Sequence, residues 1–239
     1  MKTHILLLFI LLICSCGRKE PVNEFEQLVE RQGLYYQPHS HQPFTGTIEE
    51  KYKDSQIHRR ISLVDGKVEG PYERYYENGQ LESKGSYANF EWDGPYESYY
   101  ENGQLESKAF YINGEWDGPY VSYYKNRQLK SKHLYKAGLK SGPYESYYEN
   151  GQLETKGFYN ANLKDGPYES YYKNGQLETI GSYKAGLKDG AYKSYDKNGQ
   201  LDREGSFKGN EWKSKSGFSD WDLDGQENRY SEHGHLMTE

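Results

Sequence analysis

The feature that most constrains the fold of this 239-residue chain is a unit of 24 residues that recurs without insertion or deletion. Each unit starts with Gly, then Pro or Ala, then Tyr, and an Asn followed by Gly or Arg comes eight residues after the first Gly. A constant period of this kind indicates a repeat array, in which each unit packs on its neighbours. The units begin at Gly70, Gly94, Gly118, Gly142, Gly166 and Gly190.

Each unit has the residue pattern of a β-hairpin. In the first unit an aromatic segment runs from Pro71 to Tyr76, and a second segment runs from Leu81 to Tyr87. Asn78-Gly79 between them predicts a two-residue type I′ turn, because these residues accept positive φ angles. Alternation then predicts two faces. One face collects Tyr72, Tyr76, Leu81, Gly85 and Tyr87, and the other collects Glu73, Tyr75, Gln80, Glu82 and Lys84.

Opposite charges support this register. Glu73 faces Lys84, and the sixth unit keeps an opposite pair with the signs exchanged, Lys193 facing Glu204. We therefore expect a double exchange of Glu73 and Lys84 to be tolerated. The same register pairs Glu97 with Lys108 and Glu145 with Lys156, whereas Val121 faces Lys132 and Glu169 faces Ile180.

The predicted fold class is all-β: an elongated, single-layer antiparallel sheet of tandem 24-residue β-hairpin repeats, strongly twisted. The chain has 26 Tyr and 26 Gly and few aliphatic residues, so its apolar area lies in aromatic rings. A sheet with one face of tyrosine must curl over those rings or pair with a partner. A propeller with two units per blade is the minor alternative, because the segments between hairpins do not alternate.

The repeats also define the domain organisation. We predict a lipoprotein signal peptide at residues 1–15, a tether at 16–24 and degenerate N-terminal cap repeats at 25–69. Six regular hairpin repeats fill residues 70–213, and a degenerate C-terminal cap fills 214–239.

The N-terminal residues resemble a bacterial lipobox. An apolar run from Ile5 to Ile13 is too short to span a bilayer, and Ser15 places a small residue before Cys16. The resemblance implies cleavage before Cys16, lipidation of its thiol and stable anchoring in a membrane. A secretory signal with incidental cysteines is the alternative. The expected location is the bacterial cell envelope, at the outer membrane or cell surface rather than the cytoplasm.

The repeat itself resembles a known family. Tyr-Tyr-Glu-Asn-Gly-Gln-Leu, followed by Gly-x-Tyr and Asp-Gly-Pro-Tyr, is similar to the MORN-repeat variant of the YwqK-type antitoxin family, over about residues 25 to 236. The resemblance implies a MORN-like sheet. It also implies that some members neutralise a toxin by binding it, while MORN repeats elsewhere have been proposed to bind lipid head groups or to act as protein scaffolds.

The residues favour binding over catalysis. The chain contains no recognisable catalytic constellation, and His39 and His41 lack further metal ligands, so we expect no enzyme, cofactor or metal site. A net charge of −6 argues against nucleic acid. We predict a monomeric scaffold whose partner is a protein, with a toxin as one candidate. An envelope glycan- or choline-binding module and a lipid head-group binding array are the alternatives. The predicted binding stripe is Tyr75, Tyr99, Tyr123, Tyr147, Tyr171 and Tyr195.

Overall fold

The computed structural model describes residues 27–215, together with 229–230 and 236–237. The predicted signal peptide, the tether and Cys16 lie outside these residues, as does most of the C-terminal cap. Within the described residues there is no α-helix, and hence none that could cross a membrane.

The described residues form strands separated by short turns. In chain order these are β1 (Val29–Arg31), β2 (Leu34–Tyr36), β3 (Gly46–Lys51), β4 (Ile57–Val64), β5 (Lys67–Tyr75), β6 (Leu81–Ala88), β7 (Glu91–Trp92), β8 (Gly94–Tyr99), β9 (Leu105–Ile112), β10 (Glu115–Trp116), β11 (Gly118–Tyr123), β12 (Leu129–Lys136), β13 (Leu139–Lys140), β14 (Gly142–Tyr147), β15 (Leu153–Asn160), β16 (Leu163–Lys164), β17 (Gly166–Tyr171), β18 (Leu177–Lys184), β19 (Leu187–Lys188), β20 (Gly190–Tyr195), β21 (Leu201–Lys208), β22 (Glu211–Ser214), β23 (Arg229–Tyr230) and β24 (Leu236–Met237).

The long strands form one antiparallel sheet that follows the order of the sequence. Strand β3 pairs with β4, β4 with β5 and β5 with β6, and each later hairpin pairs with the next through β6–β8, β9–β11, β12–β14, β15–β17 and β18–β20. The two-residue strands β7, β10, β13, β16 and β19 extend one end of the strands before them. No strand pairing joins β3 to β22 in the described part of the chain, so the sheet is open. The predicted fold class is confirmed.

The turns differ from the prediction. Gly79 has a φ of 81°, whereas Asn78 does not have a positive φ. The Gly79 N–H donates to the Tyr76 carbonyl at 2.9 Å, and the Tyr76 N–H donates to the Gln80 carbonyl at 2.8 Å. This is a three-residue loop, a type I turn followed by a left-handed glycine. The prediction of a two-residue type I′ turn was wrong, because Asn-Gly also suits a loop that needs only one positive φ.

The longer loop introduces a bulge into each hairpin. Tyr72 lies opposite Gly85 and Glu73 opposite Lys84, as predicted, but Tyr75 lies opposite Leu81. Glu82 is therefore the extra residue, and its carboxylate pairs with Arg74 at 3.0 Å on the face that carries Tyr72. The predictions that Glu82 shares a face with Glu73 and that Leu81 shares a face with Tyr72 were wrong for this reason.

Two faces result, which we call the aromatic face and the charged face. The aromatic face carries Tyr72, Gly85, Tyr87, Trp92 and their equivalents, and the charged face carries Glu73, Tyr75, Lys84 and theirs. On the aromatic face the rings of Tyr72 and Trp92 meet edge to face, with centroids 5.0 Å apart. A Cβ at Gly85 would lie 2.8 Å from the Trp92 ring. Rings thus pack directly on bare backbone, which is why Gly recurs at this position.

Neighbouring hairpins are also joined by side chains. The Tyr76 hydroxyl donates to the Tyr99 carbonyl of the next unit at 2.7 Å, and the Tyr100 hydroxyl donates to the Tyr123 carbonyl at 2.7 Å. The same bond recurs from Tyr52, Tyr124, Tyr148 and Tyr172. Each unit therefore depends on the next one for a hydrogen-bond partner.

The N-terminal end has an aliphatic core instead of an aromatic one. Leu63 is 1% exposed and packs with Ile48 and Ile61, and the β1–β2 hairpin places Tyr35 against this cluster. The Tyr35 N–H donates to the Gly66 carbonyl at 2.9 Å, which fixes the hairpin to the end of the sheet. This arrangement caps the array, because it covers the end of the first unit.

Candidate binding surfaces

The charged face carries a ladder of ion pairs that crosses from one hairpin to the next. Glu97 accepts from Lys84 at 3.0 Å and from Lys108 at 2.9 Å. Lys84 therefore pairs with the following unit, while Glu73 pairs with Arg60 of the preceding unit at 3.4 Å. The ladder therefore joins neighbouring hairpins as well as the two strands of one hairpin.

This continuity explains the two pairs that depart from charge complementarity. Lys132 faces Val121 in its own hairpin but pairs with Glu145 of the next unit at 3.1 Å. Glu169 faces Ile180 but pairs with Lys156 of the preceding unit at 2.8 Å. Lys132 and Glu169 therefore each have an ion-pair partner on a neighbouring hairpin.

The tyrosines of the predicted stripe are integrated into this ladder. The Tyr75 hydroxyl donates to Glu73 at 2.6 Å, and the Tyr147 hydroxyl donates to Glu145 at 2.5 Å. The Tyr99 and Tyr171 hydroxyls donate in the same way to Glu97 and Glu169. Lysine ammonium groups lie over the rings of Tyr99, Tyr147 and Tyr171 at 5.9, 5.9 and 6.0 Å. Tyr123 and Tyr195 follow Val121 and Lys193, so they lack this acidic neighbour.

These contacts alter the proton affinity of the acids. The hydrogen bond from Tyr99, with the charges of Lys108 and Lys84, lowers the pKa of Glu97 to about 2. Burial and the neighbouring Glu97 raise the pKa of Tyr99. At neutral pH the face therefore presents ionised carboxylates bound to neutral phenols.

An exposed apolar strip runs beside the ladder on the same face. Phe110, Leu134 and Phe158 are 40%, 41% and 45% exposed, and they lie opposite Pro95, Pro119 and Pro143. We call these six residues the apolar strip. Sequence reasoning did not identify it, although continuing the same alternation beyond Gly85 would have placed these side chains on the charged face.

A groove of about 300 Å³ lies at the end of the apolar strip, between the fourth and fifth hairpins. Its walls include Pro143, Phe158 and Pro167, together with the ladder residues Glu145 and Lys156. An apolar side chain could lie in this groove with polar groups on either side.

The aromatic face has polar groups along its length. Serine pairs cross the middle of the hairpins, such as Ser98 with Ser107 at 2.8 Å. In most units the bulge residue is an acid, and Glu106 accepts from Ser98 at 3.3 Å. Lys164 lies over the Tyr168 ring at 4.6 Å, and burial lowers the pKa of this lysine.

A cavity of about 430 Å³ lies on this face between the second hairpin and the third hairpin, residues 118–141, and we call it the cavity of the third hairpin. Lys130 stands at the bulge position that is acidic in the other regular hairpins, and His133 stands where they have Gly or Ala. The imidazole lies between the rings of Tyr120 and Tyr144, at 6.1 Å from each centroid. Burial and the charge of Lys140 lower the pKa of His133 to about 4.

The described residues contain no group of three or more His, Cys, Asp or Glu side chains arranged to hold a metal ion.

Comparison with known proteins identifies the repeat. No curated protein matches the chain. Part of the chain matches a family model described as the MORN repeat variant, which agrees with the resemblance seen in the sequence. The match does not include the third hairpin between residues 114 and 139. The chain therefore contains five segments similar to the MORN repeat variant, at residues 68–89, 92–113, 140–161, 164–185 and 188–208.

Proposed function

We propose that the protein is a non-enzymatic scaffold that binds another protein through its charged face. The observation that carries this proposal is the apolar strip, which lies exposed beside an ordered ladder of charges. Contiguous exposed apolar area of this kind marks interaction sites in soluble proteins. Charged groups at its margin would set the orientation of a partner.

The repeat supports a long interface. Each hairpin presents similar chemistry at the same spacing, so a partner that contacts several units adds several weak contacts. The stripe tyrosines lie on the same face as the apolar strip, on the other side of the ladder. Four of them, Tyr75, Tyr99, Tyr147 and Tyr171, offer ring edges held by hydrogen bonds to carboxylates. Rigid aromatic groups lose little conformational entropy on binding. The predicted stripe thus remains part of the proposed interface.

We further propose that Cys16 carries the lipid that holds this scaffold at a bacterial membrane. The support is the apolar run that ends at Ile13 and the small residue Ser15 before the cysteine. An immunity-like or antitoxin-like role is one form of the same function, because it requires binding of a toxin and no catalysis.

Affinity capture from an envelope extract tests the proposal. Purified protein is immobilised beside a variant carrying Phe110→Ser, Leu134→Ser and Phe158→Ser. The first, fifth and sixth regular hairpins have Ser at the same position, so the variant should keep its β-sheet circular dichroism spectrum. We expect the immobilised wild type to retain a protein that the variant does not retain. After purification, that protein should bind the wild type again.

Other ligands would give a different pattern. Retention on a purified glycan or choline resin, without capture of a protein, would replace the proposal with the glycan- or choline-binding alternative. Binding to anionic vesicles by the lipid-free chain alone would favour the head-group alternative. Turnover abolished by a single substitution would identify an enzyme.

A further inference from the structure

The cavity of the third hairpin lies on the aromatic face, away from the proposed protein interface. It is lined by hydroxyl groups of Ser122, Ser131 and Tyr120, by the Trp116 indole and by charged side chains. Its volume of about 430 Å³ lies in the usual range of small-molecule sites, about 300 to 1,000 Å³. It lies between the second hairpin and the third, and the third departs most from the repeat.

Lys130 changes the charge of this part of the face. In other hairpins the equivalent acid accepts from a serine, as Glu154 does from Ser146 at 3.1 Å and Glu178 from Ser170 at 3.0 Å. The Lys130 ammonium cannot accept a hydrogen bond. Among the described residues, the Ser122 and Ser131 hydroxyls therefore bond only to each other, at 2.8 Å. One of these two hydroxyls donates to the other, which leaves one proton to donate to a ligand.

Lys140 also lines the cavity, and its ammonium group lies over the Tyr159 ring at 5.3 Å from the centroid. Lys84, Lys108, Lys132 and Lys156 on the charged face are ion-paired. Among the described residues no ion pair joins Lys130 or Lys140 to a carboxylate. Glu106 also lines the cavity, so two cations and one anion surround it. The balance favours a ligand with a negative charge.

The remaining wall is suited to a ring with hydroxyl groups. Trp116 and Tyr120 lie nearly parallel, with an interplanar angle of 27° and centroids 5.2 Å apart. Their edges give an apolar surface, while Glu106 and the serine hydroxyls supply acceptors and donors around it. His133 occupies the position at which the other regular hairpins have Gly or Ala, and its imidazole lines the cavity.

We propose that this cavity binds an anionic sugar, with Lys130 at its carboxylate or phosphate group. Trp116 and Tyr120 contact the carbon-bound hydrogens of the ring, and Glu106 with the Ser122–Ser131 pair binds ring hydroxyls. The site is independent of the proposed protein interface, because the side chains that would bind the sugar lie on the other face of the sheet.

Calorimetric titration of the full chain in detergent tests this site. The ligands are glucuronate and glucose 6-phosphate, with glucose and inorganic phosphate as comparisons. We expect at least one anionic sugar to bind at least tenfold more tightly than both glucose and phosphate. Lys130→Glu should weaken that binding by tenfold or more. This variant restores the residue found at Glu106 and Glu154, so it should fold.

Lys136→Glu is the matched control. It makes the same change of charge in the same strand, but Lys136 is exposed and does not line the cavity. Binding by this variant should stay within about twofold of the wild type, because exposed charges at a distance are screened.

Several results would overturn the proposal. No binding of either anionic sugar would refute it, as would equal losses in the two variants. If glucose bound as tightly as the anionic sugars, the ligand would not need a negative charge. If inorganic phosphate bound as tightly as the anionic sugars, the ligand would not need a sugar ring. Binding of anionic vesicles that Lys130→Glu abolishes, without binding of the free sugars, would assign the site to a membrane surface.

Discussion

Val121→Glu tests the ladder of the charged face most sharply. Val121 lies opposite Lys108 on one side and Lys132 on the other. Glu97 has the same position one unit earlier, where it pairs with two lysines at 3.0 and 2.9 Å. A carboxylate at position 121 should therefore bridge Lys108 and Lys132 and accept from the Tyr123 hydroxyl. The substitution completes the ladder at the one regular hairpin that has an apolar residue there.

The expected gain follows from the geometry. An exposed cross-strand ion pair contributes about 0.2 to 1 kcal/mol. Two such pairs would contribute about 0.4 to 2 kcal/mol before the lost packing of the valine and the repulsion from Glu97 and Glu145 are subtracted. Since both lysines already have partners, we expect a net stabilisation of at most about 1 kcal/mol at low salt.

Thermal and urea unfolding at low and high salt measure this effect. Val121→Gln is the control, because it has a similar shape to the Glu variant without the charge. We expect the Glu variant to be more stable than the Gln variant at low salt, and the difference to shrink as salt screens the ladder. Equal stability of the two variants at low salt would show that the strands do not hold Lys108 and Lys132 around position 121.

Four further results are expected. Tyr100→Phe should destabilise the array by about 1 kcal/mol in urea unfolding, since its hydroxyl donates to the Tyr123 carbonyl; no change would mean that the bond between units is absent. Gly205→Ala should cost about 1 to 3 kcal/mol by the same measurement, because its Cβ would lie 2.3 Å from the Lys213 carbonyl oxygen, and a neutral result would exclude this close approach. Because the pKa of His133 is lowered to about 4, the folded state binds fewer protons than the unfolded state below about pH 6.5. The stability of the wild type should therefore fall from pH 7 to pH 5 by about 1 to 2 kcal/mol more than that of His133→Gly. Parallel pH profiles of the two proteins would contradict the burial of the imidazole. Radiolabelled palmitate should enter the wild type and not Cys16→Ala, and label retained in the variant would refute lipidation at Cys16.

The period of the sequence was sufficient to predict the fold. A constant spacing of Gly-Pro-Tyr and Asn-Gly dictates tandem hairpins. The pairing of Glu73 with Lys84 was correct because the bulge at Glu82 compensates for the longer loop and restores the predicted register. The turn itself could not be decided from its residues, since Asn-Gly suits both a two-residue loop and a three-residue loop. That difference of one residue moves Glu82 to the aromatic face.

The ladder shows a second limit of reasoning about single hairpins. The expected tolerance of a double exchange of Glu73 and Lys84 does not follow from the sheet. A lysine at position 73 would face Arg60, and a glutamate at position 84 would face Glu97. We now expect the double exchange to destabilise the array, because each new charge meets a like charge on the adjacent hairpin.

The candidate sites were less accessible to sequence reasoning than the fold. The stripe tyrosines were placed on the correct face, but their bonds to carboxylates depend on side-chain geometry that alternation does not give. The cavity of the third hairpin depends on Lys130, whose face was changed by the bulge, and on Lys140 in the segment between hairpins. Comparing each position across the six hairpins would have shown both Lys130 and His133 as departures.

The most direct test of the central claim is the affinity of a purified protein partner for a stepwise series of variants. Phe158→Ser, then Leu134→Ser and then Phe110→Ser are added in turn, and each complex is titrated by calorimetry. If the apolar strip is the interface, the dissociation constant should rise with each step, while the circular dichroism spectrum stays unchanged. An unchanged dissociation constant across the whole series would show that the charged face does not bind the partner.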